Sequence, residues 1–245
     1  MIGLTSITFR NKNIDEIIAF AQESRVDGIE WGSDVHVLPG DIKTAITVAQ
    51  KCKENGIKIF SYGSYFKLGM DMDFMPYLDS AVALKTQRIR IWAGTKGSGE
   101  ISQSERNLLK EECRSIAQEA QKKNIEICFE YHRHTLTDTK ESAYQLMKDV
   151  DMPNVFLYWQ PNPDVSEEEK YAEIHLLLPY IKTVHFFQWT GANVRHLMSE
   201  GKEQWKAYIE LLPAQDMPYL LEFTKDDDEN NALSDIECMR ELLKK

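Results

Sequence analysis

The sequence predicts an α/β fold, a single (β/α)8 TIM barrel that spans residues 1–245 as one domain. Short apolar, β-branched or aromatic runs alternate with longer helical patterns along the whole chain. Eight such strand-then-helix units follow one another without a linker-like stretch. A length of 245 residues is also typical of one barrel of this kind.

The strand candidates are runs of residues that favour β structure, each short enough for one barrel strand. They occupy 2–8, 27–31, 57–62, 88–92, 125–130, 154–159, 183–188 and 218–223. The helix candidates repeat apolar residues at three- and four-residue spacing. They occupy 13–24, 41–55, 74–85, 104–123, 138–149, 166–178, 199–212 and 231–243. The acidic segment 226–231 is expected to be a solvated loop before the last helix.

A doubly wound open sheet is the alternative architecture. It would place a glycine-rich phosphate loop after the first strand, whereas that strand continues into TFRNKN at 8–13. The barrel is therefore the favoured fold, and it directs attention to the carboxyl ends of its strands, where active sites of this fold lie.

Composition excludes several classes of function. The chain has 39 acidic and 29 basic side chains, a net charge of −10, which argues against a nucleic-acid partner. It contains no apolar run long enough for a membrane helix, so no membrane partner is expected. The N-terminal segment does not have the pattern of a signal peptide, and the four scattered cysteines indicate reduced thiols. These features predict a cytoplasmic protein.

Polar residues on four successive strand candidates share the parity that points into the barrel. They are Glu130, Gln160, His185 and Glu222. Two carboxylates, an imidazole and an amide oxygen suit Mg²⁺, Mn²⁺ or Co²⁺, so one interpretation is a divalent-metal site. The other is an ion-pair network in which Arg90 or Lys225 compensates two buried glutamates.

Further residues near the strand ends are candidates for substrate binding. They are Glu30, Arg90, Trp92, His132, Arg195 and Lys225. Trp92 would pack against the C–H face of a sugar, and Arg90 and His132 would bond its hydroxyl or carbonyl oxygens. Arg195 and Lys225 would bind an anionic substituent. Trp31, Trp159 and Trp189 have the opposite parity and are expected to pack away from the site.

Three segments resemble a known family. FEYHRHTLTDTKESAYQLMKDVDMPNVFLYWQP at 129–161, VHFFQW at 184–189 and YLLEF at 219–223 are similar to segments of the xylose isomerase-like TIM barrel superfamily. This superfamily includes sugar isomerases, ketose 3-epimerases, inosose dehydratases and the endonuclease IV group. The resemblance covers nearly the whole chain. It implies that the four residues from 130 to 222 named above hold a metal, and that Glu130 and Glu222 are the acid/base pair.

The chain departs from the family pattern at strand six. Gln160 and Pro163 stand where the family has Asp and His, and Gln188 replaces an Asp after strand seven. Replacing Asp by Gln keeps one oxygen ligand but removes a negative charge. The affinity for a divalent metal is therefore expected to be weaker, or metal binding to be lost.

The resemblance implies a metal-dependent isomerase or epimerase of carbohydrate metabolism that acts on a ketose or related polyol through an enediolate. One glutamate would remove the carbon-bound proton, and either could be that base. The alternatives are an inosose-type dehydratase and a non-catalytic sugar-binding barrel that has lost its metal. The partner is in each case a small-molecule carbohydrate. The substrate, the metal and the oligomeric state stay open.

Overall fold

The computed structural model describes residues 1–212 and 217–244 and shows one closed barrel of eight parallel strands. The strands in chain order are β1 (Ile2–Thr5), β2 (Gly28–Gly32), β3 (Lys58–Lys67), β4 (Arg88–Trp92), β5 (Glu126–Glu130), β6 (Val155–Trp159), β7 (Ile181–Phe186), the hairpin strands β8 (Gln188–Thr190) and β9 (Val194–His196), and β10 (Tyr219–Leu221). The helices are α1 (Ile14–Glu23), α2 (Ile42–Glu54), α3 (Met75–Leu84), α4 (Gln103–Gln121), α5 (Lys140–Val150), α6 (Glu167–Leu177), α7 (Lys202–Leu211) and α8 (Glu229–Leu243). The predicted barrel is confirmed.

Closure is made by β1, which pairs in parallel with β10 on one side and β2 on the other. Around the barrel the order is β1-β10-β7-β6-β5-β4-β3-β2. The carboxyl ends of all eight strands therefore lie at one mouth.

Capping side chains determine where several of the helices begin. Asn13 and Ser102 form capping boxes with Glu16 and Glu105, so each pair satisfies backbone N–H groups that the first helical turn leaves free. The last helix begins at Glu229, earlier than expected, because the Asp228 side chain accepts the N–H of Asn231. Most of the expected solvated loop at 226–231 is thus a short 3-10 turn, a cap and the first helical turn.

Three predicted strands end earlier in the structure: the first, the seventh and the eighth, which ends at Leu221. The first ends at Thr5 and continues as a 3-10 helix, Ser6–Phe9, because Thr5 and Thr8 hydroxyls both donate to the Leu221 carbonyl, each at 3.2 Å. The seventh ends at Phe186, and Gln188 belongs to the antiparallel hairpin β8–β9, which the sequence did not predict.

The core has two layers. Apolar residues between the strands and the helices form the large outer layer. A small separate cluster of Cys128, Tyr158 and Leu220, with Phe60 and Phe156 against it, fills the barrel interior. This apolar cluster lies beneath the polar residues at the mouth of the barrel. The four cysteines are buried and free, and among the described residues no helix has the length and apolarity to cross a membrane.

Candidate functional site

Three predicted residues converge at the mouth. Glu130 is the last residue of β5, His185 lies on β7, and Glu222 directly follows β10. Each offers one ligand atom, and these atoms lie within 4.8 Å of one another. All three side chains are buried, with relative exposures of 3%, 0% and 6%. Their shared parity, read from the sequence, is therefore confirmed by the geometry.

Glu130 is held by residues of β4. Its Oε2 atom accepts hydrogen bonds from Arg90 Nη1 and from Trp92 Nε1, the latter at 2.6 Å. Arg90 Nε also donates to Glu30 Oε1 on β2 at 2.9 Å. Arg90 therefore pairs with Glu30 and Glu130, whereas Glu222, the second glutamate of the ion-pair interpretation, pairs with His185. The other two cationic candidates, Arg195 and Lys225, lie further out.

Gly63 on β3 is required by this ion pair. A Cβ atom at position 63 would lie 2.6 Å from Glu30 Oε1 and 2.9 Å from Arg90 Nη2. Any side chain there would force the buried carboxylate and guanidinium apart. The absence of a side chain on β3 thus makes room for a salt bridge inside the barrel.

His185 lies between carboxylates. Its Nδ1 atom is 3.2 Å from Glu222 Oε2 and 3.3 Å from Gln160 Oε1. Burial alone would lower the pKa of His185, but the carboxylates of Glu222 and Glu30 outweigh it and raise the pKa to about 10. Burial would likewise raise the pKa of Glu222, yet the charge and hydrogen bond of His185 and the charge of Arg90 hold it below its usual value.

The donor set fits a divalent ion. Glu130, His185 and Glu222 could hold one, and the amide oxygen of Gln160 lies beside the imidazole. Carboxylate, amide and imidazole donors suit Mg²⁺, Mn²⁺ or Co²⁺. Two carboxylates balance the two charges of the ion. A divalent ion and the imidazole proton are alternative cations for the same site, because a metal-ligating histidine is neutral.

A cavity of about 230 Å³ opens above these residues. Its lining residues are Ile7, Tyr65, Arg90, Trp92, Glu130, His132, Gln160, Phe187, Trp189, Glu222 and Phe223. Aromatic rings form the walls, and charged or polar groups lie at the floor. Such a mixture of apolar walls and a few polar groups is typical of small-molecule sites.

Trp189 corrects one expectation from the sequence. It was expected to pack away from the site, since it continues the parity of the seventh strand, but the strand ends at Phe186 and Trp189 lies in the hairpin. The change of direction brings its ring into the cavity lining. Trp31 and Trp159 are fully buried in the core, as expected.

His132 reaches the cavity from the loop after β5. Its ring stacks on Trp92 with centroids 4.6 Å apart and planes 22° apart. Its Nδ1 atom is 2.7 Å from the Arg133 carbonyl oxygen. A carbonyl oxygen only accepts, so Nδ1 carries a proton and fixes the orientation of the ring.

The other predicted substrate-binding residues lie elsewhere. Glu30 is 1% exposed and lies beneath the cavity, since its carboxylate bonds Arg90 and Ser61. Arg195 is at the rim, paired with Asp227, and stacks on Trp189 and Phe223. Lys225 lies in the 3-10 turn after the last strand and does not line the cavity.

Phe223 is the main lining residue that the sequence analysis missed. Its backbone has a φ of 63°, which is rare for a bulky residue, and its N–H donates to Thr8 Oγ1 at 3.1 Å. The sequence run 218–223 predicts an uninterrupted strand, whereas the left-handed residue turns the chain directly after Glu222. The motif YLLEF contains no signal for this turn.

The sequence is similar to a known protein family and to an enzyme of known activity. The sequence profile of the xylose isomerase-like TIM barrel family matches residues 18–242. A 3-dehydroshikimate dehydratase of Bacillus anthracis is 29% identical over 212 residues, which are 80% of this chain and 74% of that protein.

Solved structures with the same fold include enzymes with different reactions. The probable 3-DHS dehydratase of Bacillus anthracis, involved in petrobactin synthesis, has a TM-score of 0.84 at 22% identity and covers 98% of both chains. The 3-keto-D-glucoside 4-epimerase of E. coli has a TM-score of 0.71 at 16% identity and also covers 98% of both chains. At these identities the likeness shows the fold alone.

Proposed function

The chain belongs to the xylose isomerase-like TIM barrel family, and we propose that it is a divalent-metal-dependent dehydratase of a small, hydroxylated cyclic ketone. The observation that carries the proposal is the convergence of Glu130, His185 and Glu222 on one point below an aromatic-walled cavity. The curated relative that dehydrates 3-dehydroshikimate favours a dehydratase over the ketose isomerase or epimerase that the resemblance alone implied.

The metal would be held by Glu130, His185 and Glu222, with Gln160 as a neutral fourth donor. When bound, a divalent ion withdraws electron density from a substrate oxygen and stabilises the negative charge that develops there. Arg90 is not free to supply this positive charge, because two glutamates already engage it.

His132 is the base that this arrangement favours. Because its Nδ1 proton faces the Arg133 carbonyl, the neutral imidazole has its free lone pair on Nε2. Glu130 is less suited to proton transfer, because its Oε2 atom already accepts from Arg90 and Trp92.

The reaction balances with this single base. His132 Nε2 takes the proton from the carbon next to the ketone, and the electron pair of that C–H bond moves toward the carbonyl oxygen. When the carbonyl reforms, the C–O bond to the hydroxyl on the next carbon breaks. The imidazolium of His132 returns its proton to the departing hydroxide, which leaves as water. The products are one unsaturated ketone and one water molecule, with no oxidant or reductant.

Epimerisation is the second candidate function, and the two carboxylates at the mouth favour it. Glu130 and Glu222 come from β5 and from the end of β10, with β6 and β7 between them, so they can approach a substrate from different sides. One would remove a proton and the other would return it to the opposite face, as the acid/base pair expected from the sequence.

A single assay separates the two reactions. Metal-free protein is supplied with Mn²⁺, Mg²⁺ or Co²⁺ and incubated in heavy water with 3-dehydroshikimate and with a panel of ketoses. Loss of water from 3-dehydroshikimate leaves a ring that aromatises, which ultraviolet absorbance detects directly. Dehydration supports the proposal, and deuterium incorporation into a ketose without loss of water supports the epimerase instead.

The matched variant is His132→Gln. It is expected to keep metal binding, because His132 is outside the group of converging ligands. It should lower dehydration roughly 10²–10⁴-fold, the usual contribution of a general base. Dehydration at the native rate in this variant would contradict the role of His132, and no reaction of the native protein with any substrate and metal would contradict the proposed function.

A further inference from the structure

We propose that Glu30 is a positioning residue that fixes His185 as a metal ligand through its Nδ1 atom. The sequence placed Glu30 among the substrate-binding residues, but its burial inside the barrel assigns it to the support of the site. This inference rests on the proposed metal site and names a residue outside the converging ligands.

The two ring nitrogens of His185 face different groups. Nδ1 faces the ligand atoms of Glu222 and Gln160, at 3.2 and 3.3 Å. Nε2 faces Glu30 Oε1 at 3.7 Å and has no hydrogen-bond partner among the residues that the structure describes. The ring itself packs edge-on against Tyr158, with centroids 5.1 Å apart. The imidazole would therefore offer Nδ1 to a bound metal, and its Nε2 faces the Glu30 carboxylate behind it.

Two hydrogen-bond donors hold the Glu30 carboxylate in place. Ser61 Oγ donates to Oε2 at 2.7 Å, and Arg90 Nε donates to Oε1 at 2.9 Å. Gly63 leaves the space that this arrangement requires.

A carboxylate behind a ligating histidine has a known physical effect. It selects the tautomer, orients the ring and increases the electron density on the ligating nitrogen. Through Arg90, the same carboxylate is also connected to Glu130. Glu30 would thus support ligands on β5 and β7 without lining the cavity.

The test is a double-mutant cycle on metal affinity. Mn²⁺ and Co²⁺ binding are measured by calorimetry for the native protein, Glu30→Gln, His185→Gln and the double variant. We expect Glu30→Gln to weaken binding about 10–100-fold in the native background. It should change binding less than about threefold in the His185→Gln background, because its effect passes through the imidazole. The visible spectrum of bound Co²⁺ should shift in Glu30→Gln.

The control is Glu173→Gln, which neutralises a carboxylate that is also 1% exposed but lies on α6 outside the barrel. It should leave the affinity and the Co²⁺ spectrum unchanged. Should Glu30→Gln fail to fold because Arg90 loses a partner, Glu30→Asp keeps the charge and retracts it, and is measured by the same cycle.

Three outcomes would overturn the inference. An unchanged affinity in Glu30→Gln shows that Glu30 does not act on the site. An equal loss in both backgrounds shows a general charge effect that does not pass through His185. If the native protein itself binds neither ion, the proposed function fails and this inference fails with it, so the native titration distinguishes the two failures.

Discussion

The two sides of the mouth hold the same kind of residue in different ways. On the Glu130 side, one carboxylate oxygen accepts from both Arg90 and Trp92. On the Glu222 side, the carboxylate contacts His185 at 3.2 Å, and Gln160 contacts the same imidazole at 3.3 Å. The protein alone fixes the first carboxylate. The second side depends on a cation, either the proton of His185 or a metal, so it is the side where binding changes the site.

The largest expected effects are those of Glu130→Gln and Glu222→Gln, which should lower turnover alike but differ in their loss of stability. Both variants should lose roughly 10²–10⁴-fold in turnover, since each removes a charged ligand or an acid/base group. Their stabilities should differ. Glu130→Gln leaves the Arg90 guanidinium with one of its two carboxylates, which should cost about 3 kcal/mol of unfolding free energy. Glu222→Gln should cost less, because its partner His185 can lose its proton when the carboxylate is removed, whereas the Arg90 guanidinium cannot.

Urea unfolding of the metal-free variants measures this difference, with turnover recorded for the same preparations. Equal losses of stability would show that the two sides are equally dependent on their charges. The comparison drawn above would then be wrong.

A carboxylate outside the mouth sharpens the comparison. Glu173 is as buried as Glu30 but accepts from Trp159 Nε1 at 3.3 Å, where Glu30 accepts from Arg90. Burial raises the pKa of Glu173 to about 7. The folded state therefore holds this proton more tightly than the unfolded chain, and this contribution to stability falls as the pH rises from about 4.5 to about 7.

Glu173→Gln should remove that dependence. The variant is expected to match the native protein near pH 4.5 and to be more stable at pH 8 by on the order of 2–3 kcal/mol. Thermal or urea unfolding across this range measures it. A variant that is less stable than the native protein at pH 8 would show that the ionised carboxylate is stabilising in the fold.

The sequence predicted the eight barrel strands, the eight helices and the converging residues, because all of these depend on periodicity. Parity along the strands places Glu130, His185 and Glu222 at one mouth whatever the details of the loops. Trp189 and Phe223 were missed because they depend on where a strand ends and on one left-handed residue. Glu30 has the right parity for the interior, but only the position of Arg90 shows that it lies beneath the cavity.

The smallest expected effect concerns the fourth ligand. Gln160→Asp places a negative charge beside His185 on the cation-dependent side, and it should tighten Mn²⁺ binding at least about tenfold. Calorimetry of both proteins measures the ratio, with Gln188→Asp as the control, since Gln188 lies in the hairpin rather than at the end of β6. Binding that is unchanged or weaker in Gln160→Asp would show that residue 160 does not contribute to the site.

The central claim, that the mouth is a divalent-metal site, is tested most directly by titrating the metal-free native protein with Mn²⁺ in a calorimeter, alongside the double variant Glu222→Gln, His185→Gln. The account predicts one saturable site per chain in the native protein and its loss in the double variant. No saturable binding in the native protein, or the same binding in the double variant, would contradict it.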